Sequence, residues 1–352
     1  MFRLIKILVL VFIVVQTSCN SKNDNSTEIY NKLNKNSAGY PIVRLQQQWF
    51  ANSGFAGELF AKYETANKYK LELEIIPGSD QIDTKNVVMA GKAEFGVAGA
   101  EQILQSNENN PNAKLVIIGV INYKSLACFI SKKNKGITKP KDFIGHKIGT
   151  MEGSPVDLIY KALKKKENLL IDKNDEIPTG WVLTGFVQDK YDVYPAFIND
   201  EPVTLKLKGI DVDIIEPSIY DVSFIGTVYF CKKELIDSNP ELVQSFINSI
   251  ADGWELTIKD PKKAIDLLKK YDKNIDEIKE IESLRKGMDY YKGEEGHILY
   301  TTESNWNKMA DLLKSVGYIK VFDKKSSVEN KFISWYHSKV KPKVNDNENN
   351  YK

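Results

Sequence analysis

Apolar and polar positions follow two different periods along this chain. From Pro41 to Gln47 they alternate in twos, as in a half-buried strand, while from Ser53 to Ala66 Phe55, Leu59, Phe60 and Tyr63 recur at helical spacing. Leu71 to Ile76 reads as a second strand closed by Pro77-Gly78, and a helix from about Gln81 to Ala90 ends at Gly91, which can take a left-handed cap. Phe95 to Ala98 and Leu115 to Ile121 are short unbroken apolar runs, the pattern of buried parallel strands. Pro140 to Phe143 followed by Gly145 to Gly149 repeats the order short helix, turn, buried strand, and Thr150 to Ser154 is a polar loop opening an amphipathic helix to about Lys166. Further strands are predicted at Trp181 to Phe186, Asp192-Val193 and Asp213 to Ile215, with a helix from Pro195 to Lys208 before the last. Beyond a strand at Val228 to Phe230 the pattern turns helical: Pro240 to Ile258, Pro261 to Tyr271, Ile275 to Tyr290 and Thr301 to Val316. Asp260-Pro261 supplies a cap and a first-turn proline. Strand and helix alternate through most of the chain, so the class is α/β.

The two ends depart from this pattern. Arg3 and Lys6 precede an apolar run from Ile7 to Val15 and then Gln16-Thr17-Ser18-Cys19, the layout of an export signal over residues 1–18 with lipid attachment at Cys19. Gln16 stands where an aliphatic residue is more usual in such a signal. Residues 19–40 are rich in Asn, Ser and Lys and read as a flexible tether, and 345–352 as a disordered tail. The expectation is an exported protein, anchored by lipid at Cys19 to the periplasmic or cell-surface face of a membrane.

With 352 residues, 42% of them hydrophobic, the chain can bury more than one core. Lys+Arg 49 against Asp+Glu 47 leaves +2, an excess matched by Arg3 and Lys6 in the leader. No global basic field exists to hold a nucleic acid. Three Cys and three His are scattered without metal-ligand spacing, so no metal is expected.

A set of short motifs in a fixed order identifies a resemblance covering about Pro41 to Val316. They are Gln48-Trp49 and Phe55-Ala56-Gly57, then Pro77-Gly78-Ser79-Asp80, then Gly91 to Glu101 (GKAEFGVAGAE). Gly145 to Gly149 with Gly153-Ser154, Asn199-Asp200-Glu201-Pro202, Asn239 to Val243 and Gly253-Trp254 complete the set. The chain resembles the solute-binding proteins of ABC importers for thiamine pyrimidine precursors, nitrate, sulfonates and taurine. The resemblance implies two α/β lobes of the type II periplasmic-binding-protein kind, an interlobe cleft, C-terminal helices, and a permease with its ATPase as partner. It places lobe 1 at 41–123 plus 226–344 and lobe 2 at 124–225, and implies a monomer. The crossovers would lie near Lys124 to Ser131 and Val222 to Cys231, putting Cys128 and Cys231 on neighbouring strands, where two buried thiols are expected in preference to a disulfide.

Ligands of such lobes bind beyond the carboxyl ends of the strands. That rule selects Gln48, Trp49, Phe55, Asp80, Gly99, Glu101, Tyr123, Gly153, Ser154, Asn199 and Glu201. Trp49 offers a face for a flat ring, with Phe55 or Tyr123 as a second wall. Gly153-Ser154 at a helix start would suit an anion, but Glu152 and Glu101 nearby oppose one and instead suit the amine and ring nitrogen of an aminopyrimidine, with Glu201 the foremost acceptor and Asn199 beside it. A small flat nitrogen heterocycle is therefore expected, with riboflavin-like rings, nitrate, sulfonates or taurine as alternatives. The rival classes are a sensory module that borrowed the fold and an enzyme. Some members of the family build the pyrimidine from their own His and a pyridoxal cofactor on Lys. This chain reads Ala98-Gly99-Ala100-Glu101-Gln102 in that stretch, with neither residue present, so no catalysis and no cofactor are expected.

Overall fold

The computed structural model describes residues 33–340, so the expected export signal, Cys19 and the tail 345–352 lie outside the described residues. The last part of the expected tether is built into the fold: Asn36 accepts the N–H groups of Ala38 and Tyr40, and Leu33 packs on the core.

Among the described residues, ten strands form three sheets. The first contains β1 (Ile42–Gln46), β2 (Glu72–Ile76), β3 (Phe95–Gly99), β4 (Leu115–Val120) and β10 (Thr227–Lys232), in the order β2-β1-β3-β10-β4. β1 runs parallel to β2 and β3, and β10 returns antiparallel between β3 and β4. Every position of β4 is buried, as its unbroken apolar run requires when both faces of a sheet are covered. The second sheet joins β5 (Ala127–Lys132), β8 (Tyr194–Phe197) and β9 (Val212–Ile215) in the order β8-β5-β9. β6 (Ile148–Thr150) and β7 (Glu176–Pro178) make a parallel pair.

The chain passes from the first sheet to the second after β4 and returns before β10. Those two passages are hydrogen-bonded to each other: Gly226 N–H donates to Asn122 O at 3.0 Å and Ser125 N–H to Phe224 O at 2.7 Å. Around the first sheet, helix Pro240–Lys259 starts on an Asn239 cap with proline in its first turn and lays Phe246 flat against Phe95, ring centroids 3.7 Å apart. Behind the crossing, Trp306, Met309 and Leu313 of helix Glu303–Ser315 share one apolar cluster with Val120, Val228, Ile159 and Leu163. Among the described residues no helix is long and apolar enough to cross a membrane.

Three local expectations are corrected. Trp181 to Phe186 is not a strand but a loop leading into the short helix Thr184–Val187. The strand lies further on at β8 and includes Pro195, tolerated because β8 is an edge of its sheet; the helix then begins at Glu201. Cys128 and Cys231 are not on neighbouring strands either: Cys128 faces Ala196 in the second sheet and Cys231 lies between Phe95 and Val116 in the first. Both are buried free thiols.

Candidate functional site

The carboxyl ends of β1, β2 and β3, the crossing passages and the start of helix Pro155–Lys166 converge on a cleft of about 670 Å³ between the sheets. Gln48, Trp49, Phe55, Asp80, Gly99, Glu101, Gly153, Ser154, Asn199 and Glu201 all line it. Tyr123 does not; it lines a separate depression with Lys165, Lys166 and Lys308. Glu152 is exposed and is not among the lining residues, so it does not act on the cleft in the way expected.

On the side of the first sheet, Gly78 N–H donates to Trp49 O at 3.0 Å, tying the loop after β2 to the loop after β1 and setting Trp49 half-buried at the cleft. Gln48 Nε2 reaches Thr227 Oγ1 at 3.5 Å, and Asp80 is exposed at the rim. Phe55 is buried in the core beneath. On the opposite side Trp181 stacks on Phe197, centroids 5.5 Å apart and planes at 25°, and both rings line the cleft. Trp181 is thus an aromatic face of the cleft beyond Trp49 and Phe55, while Tyr123 contributes none.

The start of helix Pro155–Lys166 is already occupied. Gly153 N–H donates to the Asp157 carboxylate at 3.1 Å, Ser154 Oγ accepts the Asp157 N–H at 3.2 Å, and Lys161 pairs with Asp157 at 2.7 Å. One donor that could hold an anion here, the Gly153 N–H, thus serves a carboxylate of the protein's own.

Glu101 stands at the start of helix Ala100–Asn109 with its carboxylate folded back over Gly99, where any Cβ would collide with it. Burial pushes its carboxyl up to about 7, its own backbone N–H pulling the other way, and its Oε1 has no partner. Glu201, first residue of helix Glu201–Leu207, accepts the Phe197 N–H at 2.8 Å and is also pushed up to about 7, by burial and then by Asp200. Its carboxylate is therefore partly engaged in holding the turn after β8. Asn199 donates through Nδ2 to Tyr291 Oη at 3.1 Å.

Helix Glu277–Tyr291 supplies Lys279, Glu280, Ser283 and Tyr291 to the lining. Lys279 pairs with Asp200 at 2.8 Å, Glu280 accepts the Ser53 N–H at 2.7 Å, and Lys85 pairs with Asp83 at 2.9 Å. The charged lining is thus Asp80, Asp83, Glu101, Asp200, Glu201 and Glu280 against Lys85 and Lys279, and both lysines are engaged by carboxylates.

Residues 67–264 match the family model described as NMT1/THI5 like. The chain belongs to the NMT1/THI5-like family. No curated protein matches it in sequence. Among solved structures, the periplasmic sulfonate-binding protein SsuA of Methylobacillus flagellatus is similar with a TM-score of 0.65 at 14% identity, over 86% of this chain and 95% of that one. The periplasmic nitrate-binding protein NrtA of Synechocystis gives 0.65 at 11% identity over 85% and 89%, and the aliphatic sulphonate-binding protein SsuA of Escherichia coli 0.57 at 17% over 86% and 89%. The fold of this NMT1/THI5-like chain is accordingly that of periplasmic binding proteins.

The sequence reading missed Trp181, Lys279, Ser283 and Tyr291 as lining residues; of the loop Asn122-Tyr123 that the strand-end rule selects, it is Asn122 that lines the cleft. For Trp181 a signal existed: an indole directly after Pro178-Thr179-Gly180 is a loop aromatic, which a period-two reading turned into a strand. The helical residues carried none, because only long-range packing brings helix Glu277–Tyr291 to the cleft.

Proposed function

We propose that this chain is the exported, lipid-anchored solute-binding protein of an ABC importer, capturing a small flat nitrogen heterocycle such as a thiamine pyrimidine precursor and delivering it to a membrane permease. The observation that carries the reading is the charge balance of the cleft: acids predominate, both lysines are paired with carboxylates, and the Asp157 carboxylate takes the Gly153 N–H at the nearby helix start. An inorganic or sulfonate anion would enter against that field, whereas ring amines and ring nitrogens find acceptors and donors. Trp49 and Trp181, from opposite sides, offer faces for a planar guest.

Capture makes and breaks no bond. Ligand contacts one lobe, contacts from the other then favour the closed arrangement, and the differential contact with the two arrangements is what a permease reads. Calorimetry with 4-amino-5-hydroxymethyl-2-methylpyrimidine, nitrate and taurine tests the proposal. Saturable binding of the pyrimidine alone supports it, and saturable binding of nitrate or taurine alone overturns it. Loss of membrane association and of lipid incorporation in Cys19→Ala is the expected result for the anchor; an unchanged distribution would remove it.

A further inference from the structure

Three side chains among those lining the cleft each carry a buried polar atom without a partner: Glu101 Oε1, Asn122 Nδ2 and Ser283 Oγ. Glu101 is 3% exposed and Asn122 4%. Leaving such atoms unpaired is costly, so a site that retains them is built for a guest that pairs them. Glu101 and Asn122 are also fixed relative to one another. Ala100 N–H, next to Glu101, donates to Gly226 O at 3.0 Å, and Gly226 N–H donates back to Asn122 O at 3.0 Å. One residue of the crossing passage therefore ties together the two stretches of backbone that carry Glu101 and Asn122.

Resting on the nitrogen-heterocycle reading above, we propose that Glu101 and Asn122 are the specificity-determining pair that reads an amidine edge. Glu101 Oε1 accepts an N–H of the exocyclic amine, and Asn122 Nδ2 donates to the ring nitrogen beside it. The role falls to Glu101 in place of Glu201 because Glu101 retains a buried oxygen without a partner, as Glu201 does not. Ser283, on the helix that closes the same cleft, pairs with a polar substituent further along the ring. An oxo group in place of the amine presents an acceptor to Glu101 and, in its lactam form, a donor to Asn122, so both contacts turn repulsive.

The test is calorimetry with 4-amino-5-hydroxymethyl-2-methylpyrimidine and its 4-oxo counterpart, on the unaltered protein, Glu101→Gln and Asn122→Asp, each variant first checked for cooperative melting. The unaltered protein is expected to prefer the amine at least tenfold. In Glu101→Gln the amide oxygen is expected to take the helix N–H that Glu101 now accepts, turning the NH₂ into the cleft. The amine should then bind at least tenfold more weakly and the preference should narrow or reverse. Asn122→Asp should weaken the amine similarly. Equal binding of both probes by the unaltered protein, or amine affinities within twofold of one another across all three proteins, overturns the assignment while leaving the heterocycle reading intact. No binding of either probe to the unaltered protein overturns that reading and the assignment with it.

Discussion

Asn199 Nδ2 donates to Tyr291 Oη at 3.1 Å, joining the turn after β8 to a helix that packs on the first sheet's side of the cleft. Two neighbouring contacts run the same way: Asp200 with Lys279 at 2.8 Å, and the Tyr290 hydroxyl donating to Glu216 at 3.0 Å. Helix Glu277–Tyr291 is thus stitched to the lobe carrying β5, β8 and β9, while the ring of the same Tyr291 lies against Trp254, centroids 4.8 Å apart. Removing only the hydroxyl, in Tyr291→Phe, deletes the cross-cleft bond and keeps the ring contact. A net hydrogen bond of about 0.5–1.5 kcal/mol corresponds to roughly a two- to tenfold loss in affinity for a ligand held between the lobes. The expected result is that loss in calorimetry, with a larger radius of gyration in small-angle scattering of the ligand-free protein. Unchanged affinity and an unchanged scattering profile would show that the bond does not hold the lobes together.

Trp181 is 38% exposed and stacks on Phe197, so its ring is available to a guest without being part of the core. Trp181→Ala is expected to weaken pyrimidine binding about tenfold, the scale of a lost aromatic contact with its buried area. Its cost to folding should stay within ~0.5 kcal/mol, as for a partly exposed loop position. A fall in affinity matched by a fall in melting temperature would assign Trp181 to the fold in place of the site.

Most of the framework was legible in the sequence because it rests on local signals. The all-buried run of β4 is visible as unbroken apolar sequence, and Asp260-Pro261 marks the start of helix Pro261–Tyr271, whose end was also read correctly. The motifs at the strand ends led to Gln48, Trp49, Glu101, Asn199 and Glu201 for the same reason: each follows a strand or opens a helix. Reading failed where tertiary position overrides propensity. Pro195 looks like a helix start until β8 is known to be an edge strand. Ser283 is an unremarkable polar residue until the fold buries it without a partner.

Gly57 and Gly253 let two helical segments approach closely: a Cβ at Gly57 would collide with the Trp254 ring, and one at Gly253 with the Gly57 carbonyl. Trp254 is fixed from its other end by its Nε1–H, which donates to Tyr229 Oη at 3.0 Å. Gly57→Ala therefore overpacks a site that cannot relax, and we expect about 3 kcal/mol of destabilisation in urea unfolding, towards the upper end of such changes. Adding Trp254→Phe, which trims the ring in contact, should recover part of the loss, giving a coupling that a double-mutant cycle resolves. Strict additivity of the two substitutions would show that the helices part without involving Trp254.

Glu58 lies fully buried beneath this contact, where Gln47 Nε2 donates to it at 2.6 Å and the Tyr229 hydroxyl at 3.1 Å. Burial pushes its carboxyl from 4.5 up to about 8, against the pull of those two hydrogen bonds. The folded protein therefore keeps a proton that the unfolded chain releases above pH 4.5. The stabilisation linked to that proton is complete below the unfolded value and is lost as the pH rises through the folded one. Glu101 and Glu201, both raised to about 7, add in the same direction. Urea unfolding should accordingly give lower stability at pH 8.5 than at pH 5.5. Glu58→Gln keeps the shape, removes the titration and offers an N–H to Gln47 Oε1, which is buried and unpaired. We expect it to raise stability at pH 8.5 by about 2 kcal/mol or more, from the 1.36 kcal/mol carried by each pKa unit, and to flatten the dependence on pH without abolishing it. An unaltered difference between the two pH values in Glu58→Gln would mean that Glu58 is ionised in the folded protein throughout this range.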